Sequence, residues 1–330
     1  MGSSQPRRVI PPFEIERMVH AAFPQRRVLE VQALSDGLRN VNLRLKLDGA
    51  PDLVVLRVYE HDPSLCQKEV DVMRLVRGCV RVPEILYAEP GGSTAARPFA
   101  LLRLVEGISL RELKRRGEPE AIAQAARSAG ETLATIGRIT FPKPGWLAPG
   151  PTVTAPLLEG DDALPRFVDL CLESAKLRQR VDAGLRDRVR AVIWTAASRL
   201  GASEDQACLV HCDFGSRNLL VREAAGKWTV ASVLDWEFAV AGSPLIDVGH
   251  FLRYERAERA LLEPHFSEGF LSGGGKLPGD WRHLARVFDL SALCEVLTHD
   301  QLPDDVVVEL IELVRASVEE SDAPRKNLRG

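Results

Sequence analysis

The sequence predicts an α+β fold in two lobes, a small β-rich N-terminal lobe and a larger, mainly helical C-terminal lobe. Three observations predict it. Apolar residues alternate with a period of two through much of the first hundred residues. From Ser109 onward they recur mostly with helical spacing. The helical half is interrupted by one pair of short apolar runs, flanked by His, Asp and Asn side chains. The division is placed at 1–103 and 104–330, with a hinge at about 102–107.

Residues 27–59 read as three strands. In VNLRLKL, Val41, Leu43, Leu45 and Leu47 share one face, and Asn42, Arg44 and Lys46 share the other. DLVVLRVY follows a Gly-Ala-Pro-Asp turn, with Val54, Leu56 and Val58 facing one way and Val55, Arg57 and Tyr59 the other. PSLCQKEVDVMRLVRG reads as a helix burying Leu65, Val72, Leu75 and Val76, and Gly78 ends it. RVPEILYAE and RPFALLRLV read as two more strands, so the first lobe carries a single helix, after its third strand. Beyond it, helices are expected over roughly 119–139, 162–178, 183–200, 243–254, 278–298 and 303–320. NLLVR and TVASVLDW form a hairpin around Gly226, and the Pro- and Gly-rich FPKPGWLAPGPTV reads as a loop.

Composition narrows the function. The 330 residues are 45% hydrophobic, 27% charged and 6% aromatic, an ordinary soluble mixture. A net charge of -3 offers no basic field for nucleic acid. No window approaches the roughly 20 apolar residues of a membrane helix. The N-terminal MGSSQPRRVIPPFEIE lacks the apolar run of a signal peptide. Cys66, Cys79, Cys171, Cys208, Cys212 and Cys294 are scattered without a CxxC, which fits reduced thiols in the cytoplasm and no structural zinc. Oligomeric state has no signature here.

The chemistry concentrates in LVHCDFGSRNLLV, residues 209–221, and in VLDWEF beyond it. Asp213, Asn218 and Asp235 sit at the ends of short apolar runs flanking the hairpin. Carboxylate and carboxamide oxygens suit Mg²⁺, which keeps several waters and adds substrate phosphates. Two such ligands plus one metal-free carboxylate, to take a proton from an attacking hydroxyl, is the division of labour of phosphoryl transfer. The N-terminal lobe offers a phosphate clamp in LSDGLRNVN, with Gly37 and Asn40, and in Arg57 with Glu69 as its partner. Alternatives stand beside each reading: turn residues for the polar trio, a hairpin turn for Gly37, and a surface salt bridge for Arg57 and Glu69.

In HCDFGSRN and LDWEFAVAGSPLIDVG the chain resembles the aminoglycoside phosphotransferase family, small-molecule kinases with a protein-kinase-like two-lobe fold. It also resembles the wider group of choline, homoserine and fructosamine kinases. The likeness runs from about Val28 to Arg256. A lone HxD is common, but HxDxxxxN followed by a strand ending in DWE, then a Pro and another Asp, is specific. The resemblance implies Mg²⁺-dependent transfer of the γ-phosphoryl of ATP or GTP to a hydroxyl of a small molecule. It implies Asp213 as catalytic base, Asn218 and Asp235 as Mg²⁺ ligands, Asp247 as a buried brace of the catalytic loop, and His211 as a structural lock. Arg57 takes the phosphate-anchoring place with Glu69 beside it. Leu102 precedes the hinge, and Arg103 and Val105 offer backbone groups to the adenine edge.

Three departures stand out. The family usually has Gly where Cys212 stands; a residue with a Cβ there implies that the backbone needs no glycine-only φ, and that Cys212 is a small neutral filler. Arg57 replaces the usual kinase Lys, keeping a fixed charge in a planar fork. The loop reads DGLRN and not a run of glycines.

For the acceptor, Trp281, Leu284, Phe288 and Ala292 trace one stripe of a late helix, and Glu295 falls on it. A carboxylate there needs a partner, either an internal cation or a cationic substrate such as an aminoglycoside or amino alcohol. Asp300 is a second candidate, although Asp300, Asp304 and Asp305 also suit the start of the last helix, whose core stripe is Val307, Leu310, Ile311, Val314 and Val318. A nucleotide-binding pseudoenzyme is the competing reading, motivated by Arg57 and the glycine-poor loop. A protein kinase is disfavoured, because WEFAVAGSPLID is too short for an activation loop.

Overall fold

The computed structural model describes residues 10–34, 40–160, 162–204, 206–255 and 260–322. Gly37, a candidate phosphate-loop residue, lies outside the described residues.

Strands β1 (Val28–Ala33), β2 (Asn40–Leu47), β3 (Leu53–Tyr59), β4 (Ile85–Glu89) and β5 (Phe99–Arg103) form one antiparallel sheet in the order β1-β2-β3-β5-β4. The alternation read from β2 and β3 sorts their residues onto two faces. Leu43, Leu45, Val54, Leu56 and Val58 pack with Phe99 and Leu101 on one of them. Helix α1 (Pro12–Ala22) covers that face with Ile15, Met18 and Val19. This helix corrects the expectation of a single helix in the N-terminal part: its apolar residues recur at helical spacing, and a Pro opens it. Helix α2 (Leu65–Val76) covers the other face, its Cys66, Val70, Met73 and Val76 joining Tyr59, Ala100 and Leu102. Leu75, expected inside, is 41% exposed, since the buried stripe runs through positions 66, 70, 73 and 76.

The rest of the chain is mainly helical: α3 (Leu110–Arg116), α4 (Pro119–Ile136), α5 (Ala163–Glu173), α6 (Ala175–Arg180), α7 (Ala183–Glu204), α8 (Leu245–Leu252), α9 (His265–Ser272), α10 (Trp281–Val296) and α11 (Asp304–Asp322). The helix expected over 162–178 breaks at Ser174, whose extended backbone stops α5 and whose hydroxyl accepts from Leu177 N–H to cap α6. Helices α3 and α9 are additions. β10 (Leu219–Ala224) and β11 (Lys227–Val233) form the expected hairpin, extended by β6 (Ile108–Ser109). The segment expected to be a plain loop contains β7 (Gly145–Ala148) and β8 (Thr152–Ala155), in a sheet of order β8-β7-β12-β9 with β9 (Cys208–Val210) and β12 (Val240–Gly242). Strands of three or four residues are too short for alternation to show.

Glycines let two helix pairs touch backbone to backbone. A Cβ on Gly130 of α4 would stand 2.1 Å from the Phe266 carbonyl oxygen of α9. One on Gly249 of α8 would stand 2.1 Å from the Ala285 carbonyl oxygen of α10. The second contact seats α8 against α10. Among the described residues, no helix is long and apolar enough to cross a membrane.

Candidate active site

β9 ends at Val210, and the chain then turns sharply. The Asp247 carboxylate on α8 takes both amides at that turn, His211 N–H at 2.7 Å and Cys212 N–H at 2.8 Å. Asp247 is fully buried, and burial raises its pKa against the pull of His211 and these bonds. Gathering two successive amides onto one carboxylate bends the backbone, and Cys212 adopts φ 64°. That corrects the sequence expectation: this position does use the left-handed region that glycine prefers, and Cys occupies it at a cost of ~1–2 kcal/mol. Burial, with Asp247 and Asp213, pushes the Cys212 thiol well up, outweighing the nearby Lys68, so the side chain stays a neutral filler.

His211 has its tautomer set by its neighbours. Its Nδ1 accepts from Asp213 N–H at 3.1 Å, which leaves Nε2 to donate to the Leu234 carbonyl at 2.8 Å. The ring is fully buried and packs against Trp236 and Phe214. It thereby ties 211–213 to the end of β11.

Asp213 projects from this turn with its side chain 40% exposed. Asn218 donates its amide to Asp213 Oδ2 at 2.8 Å and to the Asp213 carbonyl at 3.0 Å. His250 of α8 meets Oδ1 through Nε2 at 3.0 Å. Burial alone would raise the Asp213 pKa, but His250, His211 and Asn218 together bring it below the ordinary carboxylate value. Asp213 is therefore ionised at neutral pH and able to accept a proton. With the Asn218 amide nitrogen committed to Asp213, its oxygen is the atom left to act as a ligand. Leu234 N–H donates to the Asn218 carbonyl, which sets Asn218 beside the residue preceding Asp235. Asp235 follows with φ 61°.

Arg57, on β3, reaches this centre from the N-terminal sheet. It is 5% exposed and meets three carboxylates. Its Nε donates to Glu69 Oε2 at 2.9 Å, its Nη1 is paired with Asp235 Oδ1, and its Nη2 lies 3.4 Å from Glu237 Oε2. The pair with Glu69 is thus buried and not a surface salt bridge. Glu69 also accepts from Tyr59 Oη at 2.6 Å and from Trp236 N–H at 3.1 Å. Asn40 donates to Glu237 Oε2 at 2.6 Å. Burial opposes the Arg57 charge, but Glu69, Asp235 and Glu237 outweigh it, so the guanidinium is firmly protonated.

Four residues at this centre were not singled out from the sequence: Glu237, His250, Arg253 and Asp289. Glu237 had a signal, two places after Asp235 in the DWE run. The others depend on how α8 meets α10. At the hinge, Arg103 is engaged with Glu84 through its backbone N–H at 2.8 Å and its side chain at 2.7 Å. Among the described residues, no hydrogen bond within the chain engages Val105. The two acceptor-side candidates lie apart from Asp213 in their contacts: Glu295 pairs with His299 at 2.8 Å, and Asp300 with Lys176 at 3.4 Å. Both have partners within the chain. The buried carboxylate of α10 is Asp289, 5% exposed and held by Arg253.

The donor set is oxygen-rich. No group of three or more His, Cys, Asp or Glu among the described residues forms a complete metal cage. One carboxylate at Asp235 and one amide oxygen at Asn218 fit Mg²⁺, which draws its remaining ligands from phosphates and water.

The model of the phosphotransferase enzyme family matches residues 30–286. No curated protein matches the chain. The fold is similar to the GDP complex of aminoglycoside 2'-phosphotransferase-IIIa, with a TM-score of 0.69 at 17% identity, covering 94% of this chain and 99% of that one. It is similar to the GDP and kanamycin complex of APH(2")-IIIa, with a TM-score of 0.68 at 18% identity, covering 92% and 97%. It is also similar to a thermostable APH(4)-Ia mutant in ternary complex with AMP-PNP and hygromycin B, with a TM-score of 0.65 at 17% identity, covering 94% and 99%. These likenesses show a shared protein-kinase-like fold.

Proposed function

The chain belongs to the phosphotransferase enzyme family, and from that premise we propose that it moves the γ-phosphoryl of ATP or GTP to a hydroxyl of a small molecule. The observation that supports the reading is that Asn218 bonds Asp213 at one end of the hairpin while Asp235, at the other, pairs with Arg57. We assign nucleotide binding to 1–103, catalysis and substrate binding to 104–330, and the hinge to about 102–107.

Asp213 is the base. It accepts the proton of the acceptor hydroxyl as the new oxygen–phosphorus bond forms and the bond from phosphorus to the β-phosphate oxygen breaks, leaving the nucleoside diphosphate. Asn218 and Asp235 would hold Mg²⁺, which when bound would offset the charge of the phosphates. Arg57, oriented by Glu69, anchors the phosphates, and the unengaged backbone of Val105 meets the base edge. Asp247 and His211 keep Asp213 in place. Asn40, tied to Glu237, edges the phosphate region. Aminoglycosides and amino alcohols lead the acceptor classes, since kanamycin and hygromycin B occupy the similar structures. Glu295 and Asp300 are weaker candidates to receive such a cation, because His299 and Lys176 already pair with them.

The deciding experiment measures ADP or GDP release with Mg²⁺ across aminoglycosides, amino alcohols, sugars and hydroxy amino acids, with Asp213→Ala in parallel. Release stimulated by one class and lowered roughly 10²–10⁴-fold in the variant is expected of a general base. An Asp213→Ala protein with undiminished turnover would sink the assignment. One observation favours a second reading, a nucleotide-binding protein without transfer: Arg57 already rests on Asp235. Tight Mg-nucleotide binding with silence across the whole panel would select it.

A further inference from the structure

Asp213 is contacted by a side chain that the phosphoryl-transfer scheme above does not use. His250 lies on α8, three residues after Asp247, and its Nε2 stands 3.0 Å from Asp213 Oδ1. Its other ring nitrogen, Nδ1, stands 3.3 Å from Arg253 Nη2. A guanidinium carries only donors, so Nδ1 must be the acceptor. The ring proton then sits on Nε2, pointing at Asp213. Arg253 is itself fixed. Its Nε donates to Asp289 Oδ1 at 2.9 Å, and its Nη2 lies 2.7 Å from the same oxygen. Asp289 is buried on α10, and the Arg253 side chain is 14% exposed. The α8–α10 approach at Gly249 brings these groups into line, next to His250 itself. Gly215 leaves room for the ring, since a Cβ there would stand 3.2 Å from His250 Nε2.

We propose that His250 is a positioning residue for Asp213, and that Arg253 and Asp289 hold it in the Nε2–H tautomer. The proposal rests on the phosphotransferase reading of Asp213. Each Asp213 oxygen has one fixed donor, His250 on Oδ1 and Asn218 on Oδ2, so the plane of the carboxylate is set from both sides. A base so held presents its remaining lone pairs to the cleft in one orientation. The opposite tautomer would set a bare nitrogen against the carboxylate and free it to rotate. Arg253 excludes that tautomer by facing Nδ1 with an N–H. The chain thus uses the Nε2–H of His250 as a directional donor to its base.

Two measurements on the full chain test this. The first needs no acceptor: ¹⁵N spectra of histidine-labelled protein, with the His250 signal assigned by its loss in His250→Gln. A protonated Nε2 and a bare Nδ1 are expected, and Asp289→Asn should turn the signal into a tautomer mixture. A wild-type ring protonated on Nδ1, or already mixed, would overturn the proposal whatever the activity. The second compares Mg-nucleotide turnover, with water or the best acceptor of the panel, in wild type, His250→Ala and His250→Gln. Loss of orientation in His250→Ala should lower kcat on the order of 10–100-fold, with the KM for nucleotide within about twofold. His250→Gln places an amide N–H near the Nε2 position and should recover most of the loss. Thermal unfolding of each variant identifies a folding defect, and the Gln variant keeps the test open if the Ala variant unfolds. Equal kcat in all three proteins would overturn the proposal. No turnover in the wild type, with the tautomer as expected, would overturn the phosphotransferase reading and the positioning role together. Turnover with the wrong tautomer would overturn the positioning role alone.

Discussion

Cys212 is the residue where local strain and function meet. Two amides converge on Asp247, and the backbone between them takes a left-handed turn at φ 64°. A side chain there costs ~1–2 kcal/mol, and covering the half-buried thiol returns up to about 1 kcal/mol. The two nearly cancel, so Cys212→Gly should unfold within ~1 kcal/mol of the parent by these magnitudes and keep its turnover. Cys171→Gly is the contrast, because Cys171 is 6% exposed within α5; it should lose roughly 2 kcal/mol from helix propensity and burial together. Matched thermal unfolding of the two variants checks this, and a loss at Cys212 as large as at Cys171 would refute the strain. At this scale the sequence was half legible. His211, Asp213 and Asn218 stood out because they share one contiguous run. The φ of Cys212 did not, because it is imposed by Asp247, 35 residues further along the chain. His250 was hidden for the same reason: its meaning depends on a carboxylate reached across a helix contact.

The hairpin that carries Asn218 and leads to Asp235 is the element on which the site depends. Its turn is Ala225-Gly226, with φ values of 51° and 75°. Positive φ at both central residues is the requirement of a type I′ turn, which Asn-Gly meets better than Ala-Gly. Ala225→Asn should therefore stabilise the protein by ~0.5–1 kcal/mol, read as a raised midpoint in thermal or urea unfolding, with no change in turnover because Ala225 lies at the far end of the strands. An unchanged or lower midpoint would mean that the turn does not limit the hairpin. Elements were legible in proportion to their length and regularity. β2, β3, α4, α7 and α10 show enough repeats for a period to declare itself. β7 and β8 do not, at four residues each and rich in Gly and Pro. Helix α3 carried a signal in Ser109 and Glu112, spaced as a capping pair, and Ser109 Oγ does accept from Glu112 N–H at 3.1 Å.

Across the whole molecule, the two-part architecture was readable because the period of apolar residues changes once, near Ser109. What joins the parts was only partly readable, since beside the apolar contacts of α2 it includes a polar set built from four separate segments. Arg57 on β3 reaches Glu69 on α2 and then Asp235 and Glu237 beyond β11, while Asn40 and the Trp236 amide add bonds across the same seam. One guanidinium thus neutralises carboxylates from both sides of the cleft. Removing it leaves Glu69 and Glu237, with side chains 2% and 6% exposed, without the guanidinium they share. Breaking a buried ion pair by deleting one partner typically costs ~3–5 kcal/mol, so Arg57→Ala should lose about that much. The loss should fall on the seam, so calorimetry should resolve an earlier transition of the N-terminal sheet from a later one of the helical part. Arg57→Lys retains a charge for Glu69 but cannot fork to Asp235 and Glu237 together, and it should lose less stability while still weakening nucleotide binding. A single transition at the parent midpoint for Arg57→Ala would show that the carboxylates relax into water at little cost. The seam would then rest on the apolar contacts of α2 and on bonds such as Val233 N–H to the Arg81 carbonyl and the Arg81 guanidinium to the Val230 carbonyl.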